Sequence, residues 1–168
     1  LDMDEYTVIW WANTHGDAWG WRNWWGLQRG DGQYARGENR DDGRPAHYPE
    51  AGINPTSVFN DTVTEGDGWH FHAVTVNSNR DEQTMYLNGV PDGASSASTW
   101  AGSGAVTHMK GGASYGSRTA SVGATLDEVR FSGAARSADW IWACYMTMGQ
   151  NGTLTSYDVK AGSIFRFR

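Results

Sequence analysis

The sequence predicts an all-β fold, a two-sheet antiparallel β-sandwich with one short C-terminal helix, and three observations carry that expectation. Between Trp69 and Val90 two strand-length runs, W-H-F-H-A-V-T-V-N and T-M-Y-L-N-G-V, flank a six-residue polar stretch from Ser78 to Gln83, as in a hairpin from the middle of a sandwich. Glycine at 22 and tryptophan at 10 of 168 residues suit many short strands joined by glycine turns. Strand-like runs recur along the chain, whereas helical spacing appears only after Ser137, so long helices are not expected.

The elements follow in order. Tyr6 to Ala12 is rich in β-branched and aromatic residues and reads as a strand buried on at least one face. Asn13 to Gly32 holds four tryptophans among glycines and polar residues, with Trp24 to Gln28 its best strand candidate. Glu38 to Asn54 has two prolines, two glycines and no periodicity, and is expected to be a long surface excursion. Ser57 to Val63 reads as a short strand. In the hairpin, Trp69, Phe71, Ala73 and Thr75 fall on one face and His70, His72, Val74 and Val76 on the other, neither wholly polar. Asn88-Gly89 supplies the left-handed backbone of a tight turn. Asp92 to Gly104 is a loop or an edge, and strand patterns resume at Val106. Thr125 to Ser132 is a strand, followed by one or two helical turns with Ser137 as N-cap and Asp139 in the first turn. Trp140, Ile141 and Cys144 are spaced to pin that helix onto the sandwich, and Ser163 to Phe167 is the last strand candidate.

Composition excludes several classes. With 13 Lys and Arg against 19 acidic residues, net charge -6, the chain lacks the basic face that neutralises phosphates, so no nucleic-acid partner is expected. No stretch approaches the roughly 20 apolar residues of a membrane-spanning helix, and no membrane insertion is expected. The single cysteine, Cys144, lies in an apolar run and reads as a buried, inert thiol. We expect one domain, residues 1–168, excised from a larger secreted protein and therefore extracellular or at the cell surface.

W-H-F-H-A-V-T-V-N, then M-Y-L-N-G-V, then G-A-T-L-D-E-V-R-F-S-G-A-A-R-S-A-D-W-I-W-A-C-Y resembles, in order and spacing, the laminin G-like jelly rolls of the concanavalin A-like lectin/glucanase superfamily, closest to bacterial members. The motifs run from Trp69 to Tyr145, and the Tyr6 to Trp11 strand fits the early aromatic strand of that fold. The resemblance implies a jelly roll; it does not fix function, because this fold hosts lectins, adhesion modules, spacers and polysaccharide-degrading enzymes. His72 stands where the family shows an aliphatic residue, so it is either buried with a partner or lining a groove. Relatives also carry a strand ahead of the first aromatic one, whose place is either empty here or filled by Ser163 to Phe167.

Glucanases on this fold set carboxylates at alternate positions of one strand, about 5 to 5.5 Å apart when they retain configuration. Asp127 and Glu128 are adjacent, so their side chains are expected to point to opposite faces; Asp2, Asp4 and Glu5 lie at the N-terminus. A lyase would draw on His70, His72, Tyr86 and Arg130. A non-catalytic binding or adhesion module is the preferred reading, with a polysaccharide or other glycan as partner. Sugar C–H faces pack on indole and phenol rings while neighbouring polar groups bond the hydroxyls. Trp19, Trp21, Arg22, Trp24, His47, Tyr48 and Trp100 are the candidate contacts, Trp19 and Trp21 foremost. Trp10, Trp11, Trp69, Trp140 and Trp142 are expected in the core. The alternative is a structural module that packs on neighbouring domains of the same polypeptide. The family resemblance also admits calcium, for which Asp31, Glu38, Asp41, Asp42 and Asp127 offer oxygen ligands in no EF-hand spacing, so no set is assigned.

Overall fold

The computed structural model describes residues 5–14, 22–32, 34–40, 42–50, 58–62, 64, 66, 68–77, 82–95, 105–111 and 124–149. Among them the order is β1 (Tyr6–Thr14), β2 (Arg22–Arg29), β3 (Tyr34–Asn39), β4 (Pro45–Glu50), β5 (Val58–Phe59), β6 (Gly68–Val76), β7 (Gln83–Leu87), β8 (Val90–Ser95), β9 (Val106–Gly111), β10 (Ala124–Ser132) and α1 (Ala138–Gly149). Two five-stranded antiparallel sheets result, β10-β1-β6-β7-β8 and β5-β4-β3-β2-β9. This is the sandwich that the hairpin pattern predicts. Ser163 to Phe167 lies outside the described residues.

The space between the sheets is filled from both sides by alternation. Tyr6, Val8, Trp10 and Ala12 of β1, with Val74, Val76 and Met85, meet Trp24, Trp25, Leu27 and Ala35 of the second sheet. Trp10 centres this cluster, its ring 5.5 Å from Trp24, 5.6 Å from Trp25 and 5.4 Å from His72, on which it stacks. Gly37 makes the fit with Trp25: a Cβ there would collide with the indole.

The other face of the first sheet is apolar because α1 covers it. Ile141 is fully buried against Ile9, Phe71, Ala73 and Tyr86, and Trp140, Cys144, Tyr145 and Met148 pack around it. This explains why neither face of β6 is polar. Ser137 caps α1 as expected, its Oγ accepting the Trp140 N–H at 3.3 Å, and the helix runs 12 residues rather than one or two turns. The half-buried Cys144 packs in this layer, and burial pushes its thiol pKa up. Between β7 and β8, Asn88 and Gly89 take φ of 49° and 84°, the two left-handed residues of a tight hairpin turn.

Two expectations are corrected. The stretch from Glu38 is not one surface excursion, because Tyr34–Asn39 and Pro45–Glu50 form a paired hairpin; residues 51–54 lie outside the described residues. Its polar residues gave no alternation because several are buried in pairs, as in the ion pair of Arg36 Nε and Glu38 Oε2 at 2.7 Å. Pro45 opens its strand, and Pro49 lies beyond the point where two-residue β5 pairs with β4. Trp69 and Trp142, expected in the core, are 46% and 45% exposed.

Two histidines lie in the core. His47 Nδ1 donates to Gln83 Oε1 at 2.6 Å, which leaves Nε2 to accept the Tyr6 hydroxyl at 2.7 Å. His72 stacks on Trp10, and neither of its ring nitrogens has a hydrogen-bond partner. It is therefore buried rather than lining a groove, but with rings as its neighbours in place of the hydrogen-bond partner expected of a buried histidine. Burial holds the pKa of His47 down to about 4 and that of His72 to about 3.

Between those values and the unfolded value of about 6.5, the unfolded chain takes up protons that the folded protein refuses, so stability falls as pH falls. Urea unfolding at a series of pH values should show a loss of roughly 1 kcal/mol per pH unit for each histidine below pH of about 6, and His72→Leu should remove its share of the slope. Gly37→Ala should cost about 1–3 kcal/mol by overpacking against Trp25, read as a lower urea midpoint at unchanged m-value.

Candidate functional site

The site is built on an interruption in β10. Ile9 pairs with Arg130 and Trp11 with Asp127, so two residues, Glu128 and Val129, stand opposite the single Trp10. Glu128 takes φ of 52°, a left-handed conformation that a residue with a Cβ seldom adopts. The extra residue resets the alternation. Leu126, Val129 and Phe131 pack on the core, while Asp127 and Arg130, three apart, share the outer face with Trp11 and Ile9.

The bulge therefore overturns the expectation that Asp127 and Glu128 diverge: both line one cleft of about 570 Å³, together with Trp11, Trp69, Arg130 and Thr147. Arg130 holds Glu128 through two nitrogens on one oxygen, Nη2 at 2.6 Å and Nε at 3.1 Å. Asp127 Oδ1 accepts the Glu128 backbone N–H at 2.8 Å. The far wall is the last turn of α1, where Gly149 lies so close over Trp11 that a Cβ would collide with its ring. Trp11 stacks on Tyr145 at 6.1 Å and meets Phe71 edge-on at 5.5 Å, which fixes the floor. Trp69 stands at the open side, near the start of β6, across the cleft from the end of α1. An indole face beside two carboxylates and a guanidinium offers a stacking platform with hydrogen-bond acceptors and donors around it.

Of the sequence-predicted contacts, Trp24 and His47 are fully buried and have no surface to offer a ligand, which corrects their assignment. Tyr48 is half-buried with its ring 5.0 Å from the Arg36 guanidinium, which Tyr34 flanks at 5.5 Å. Arg22 opens β2 and pairs with Asn39. Its side chain, and all of Trp19, Trp21 and Trp100, lie outside the described residues. The cleft thus draws on residues that the sequence reading placed elsewhere: Trp69 in the core, Asp127 and Glu128 on opposite faces. Among the described residues no group of three or more His, Cys, Asp or Glu is arranged to hold a metal. Asp31, Glu38 and Asp42 instead pair with Arg29, Arg36 and Arg44. Asp41 lies outside the described residues.

A family model described as the concanavalin A-like lectin/glucanases superfamily, of laminin G type, matches residues 1–142. No curated protein matches the sequence. Several solved structures share the fold. The CBM40 domain of the Ruminococcus gnavus IT-sialidase bound to α2,3-sialyllactose superposes with a TM-score of 0.64 at 10% identity, over 84% of this chain and 82% of that one. A SAP-like pentraxin from Limulus polyphemus gives 0.66 at 13% identity, over 88% and 72%. Domains LG4-5 of the mouse laminin α1 chain give 0.61 at 17% identity, over 80% of this chain and 37% of that one.

The left-handed bulge makes a prediction of its own. Glu128→Gly should be more stable than Glu128→Ala by about 1 kcal/mol, the reverse of the usual order in a strand, because only glycine takes this φ without a Cβ clash. Thermal unfolding of the two variants compares them directly.

Proposed function

We propose that the chain, which belongs to the concanavalin A-like lectin/glucanases superfamily, is an extracellular, non-catalytic carbohydrate-binding module whose ligand docks in the cleft between β10 and the end of α1. The observation that carries this reading is the indole of Trp69, 46% exposed at the rim of a cleft that also presents Asp127, Glu128 and Arg130. A sugar ring placed on that indole buries its C–H face while its hydroxyls reach the carboxylates and the guanidinium. Glu128 is tied to Arg130 and Asp127 to a backbone N–H, which suits them to accepting hydrogen bonds from a fixed position. The structural likeness to a CBM40 domain bound to sialyllactose supports a glycan as partner. A second reading, contact with a neighbouring domain of the same polypeptide, draws on Trp142, 45% exposed on α1.

Trp69→Ala should weaken glycan binding by about tenfold, from lost stacking and lost apolar burial, with the circular dichroism spectrum unchanged. A glycan array followed by titration calorimetry on the hits measures this. A folded wild type that binds no glycan, or a Trp69→Ala variant that binds as well as wild type, would sink the proposal and favour the neighbouring-domain reading.

A further inference from the structure

We infer that the glycan site continues past Arg130 into a second subsite that takes an anionic sugar, with the guanidinium of Arg136 as its anchor; this rests on the carbohydrate-binding reading of the cleft. Arg130 is shared by two hollows. On one side it lines the cleft with Trp69, and on the other it lines a pocket of about 230 Å³ with Arg136, Thr7, Ser132 and Trp140. The two differ in charge. Asp127 and Glu128 line the cleft, whereas among the described residues no carboxylate lines the pocket.

Arg136 is exposed, and among the described residues no carboxylate pairs with it. Its side chain is nevertheless held in place. The guanidinium carbon lies 5.2 Å from the Trp140 ring centre, and Nε donates to Ser132 Oγ at 3.1 Å. Its backbone is fixed as well: the Arg136 N–H donates to Thr7 Oγ1 at 2.9 Å, and that hydroxyl donates to the Ala134 carbonyl at 2.7 Å. One nitrogen and one ring face are thus engaged, and the remaining N–H donors have no protein partner among the described residues. A pre-oriented guanidinium fork of this kind matches the oxygens of a carboxylate or a sulfate.

The sign of the charge therefore changes along the site, from Asp127 and Glu128 through Arg130 to Arg136. This gives the ligand a direction. An uncharged ring stacks on Trp69, and the anionic residue extends over Arg130 to Arg136, because an anion in the Trp69 cleft would face two carboxylates. The chemistry required is an anionic oxygen group on a sugar, either a sialic or uronic carboxylate or a sulfate ester.

The test is an array of matched neutral, carboxylated and sulfated glycans, with titration calorimetry on matched pairs for wild type, Arg136→Gln, Arg136→Lys and Trp69→Ala. Wild type should prefer an anionic glycan over its neutral counterpart by about tenfold. That ratio should shrink as salt rises, collapse toward one in Arg136→Gln and be partly restored in Arg136→Lys, which a merely structural arginine would not bring about. The carboxylated and sulfated arms identify the source of the anion. A ratio near one in wild type, or an undiminished ratio in Arg136→Gln, overturns the second subsite and leaves the carbohydrate-binding reading standing. Absence of any Trp69-dependent glycan binding overturns both.

Discussion

The packing of Trp10 between the sheets is the constraint on which the rest of the structure depends. Its indole is fully buried, surrounded by Trp24 and Trp25 from the opposite sheet and stacked on His72 from the adjacent strand. None of the three indole N–H groups, and neither nitrogen of His72, has a hydrogen-bond partner. Burying such groups is costly, and the large apolar area of the rings offsets that cost. The fit also requires Gly37 beside Trp25.

The cleft on the other side of the sheet follows from that packing. With Trp10 turned inward, alternation along β1 turns Trp11 outward, where it becomes the floor of the cleft. The bulge in β10 sits opposite Trp10, and the residue it adds places Asp127, Glu128 and Arg130 beside Trp11. Helix α1 then closes one side. Ile141 anchors it over the middle of the sheet, and its last turn ends over Trp11, leaving Trp69 uncovered at the open edge. One indole is consumed by the core, a second by the floor, and a third remains for solvent.

The fold alone does not choose a ligand. A sialidase CBM40 domain, a pentraxin and laminin domains superpose on this chain at comparable TM-scores with 10% to 17% identity. The features of this molecule that bear on a ligand are local: an exposed indole, a bulge that gathers two carboxylates, and a change of charge sign, among the described residues, between two adjoining hollows. Function in such folds resides in sites of this kind rather than in the sandwich.

The strands at Tyr6–Thr14, Gly68–Val76, Gln83–Leu87 and Ala124–Ser132, the turn at Asn88-Gly89 and the helix cap at Ser137 were legible because each is signalled within a short window of sequence. Periodicity, turn chemistry and capping are local properties. The β3–β4 hairpin was not legible, since its polar residues read as solvent-facing, whereas Arg36 and Glu38 are buried as a pair and His47 is buried against Tyr6 and Gln83 from distant strands. Likewise the exposure of Trp69 depends on where a helix some seventy residues later in the chain comes to an end, and the convergence of Asp127 with Glu128 on one extra residue opposite Trp10. Sequence by itself determined the sandwich, its central hairpin and its capped helix, because alternation and turns act between near neighbours. Tertiary structure decided which tryptophans meet solvent and that two adjacent carboxylates share one cleft, because helix docking and the register of β10 against β1 join segments far apart in the chain.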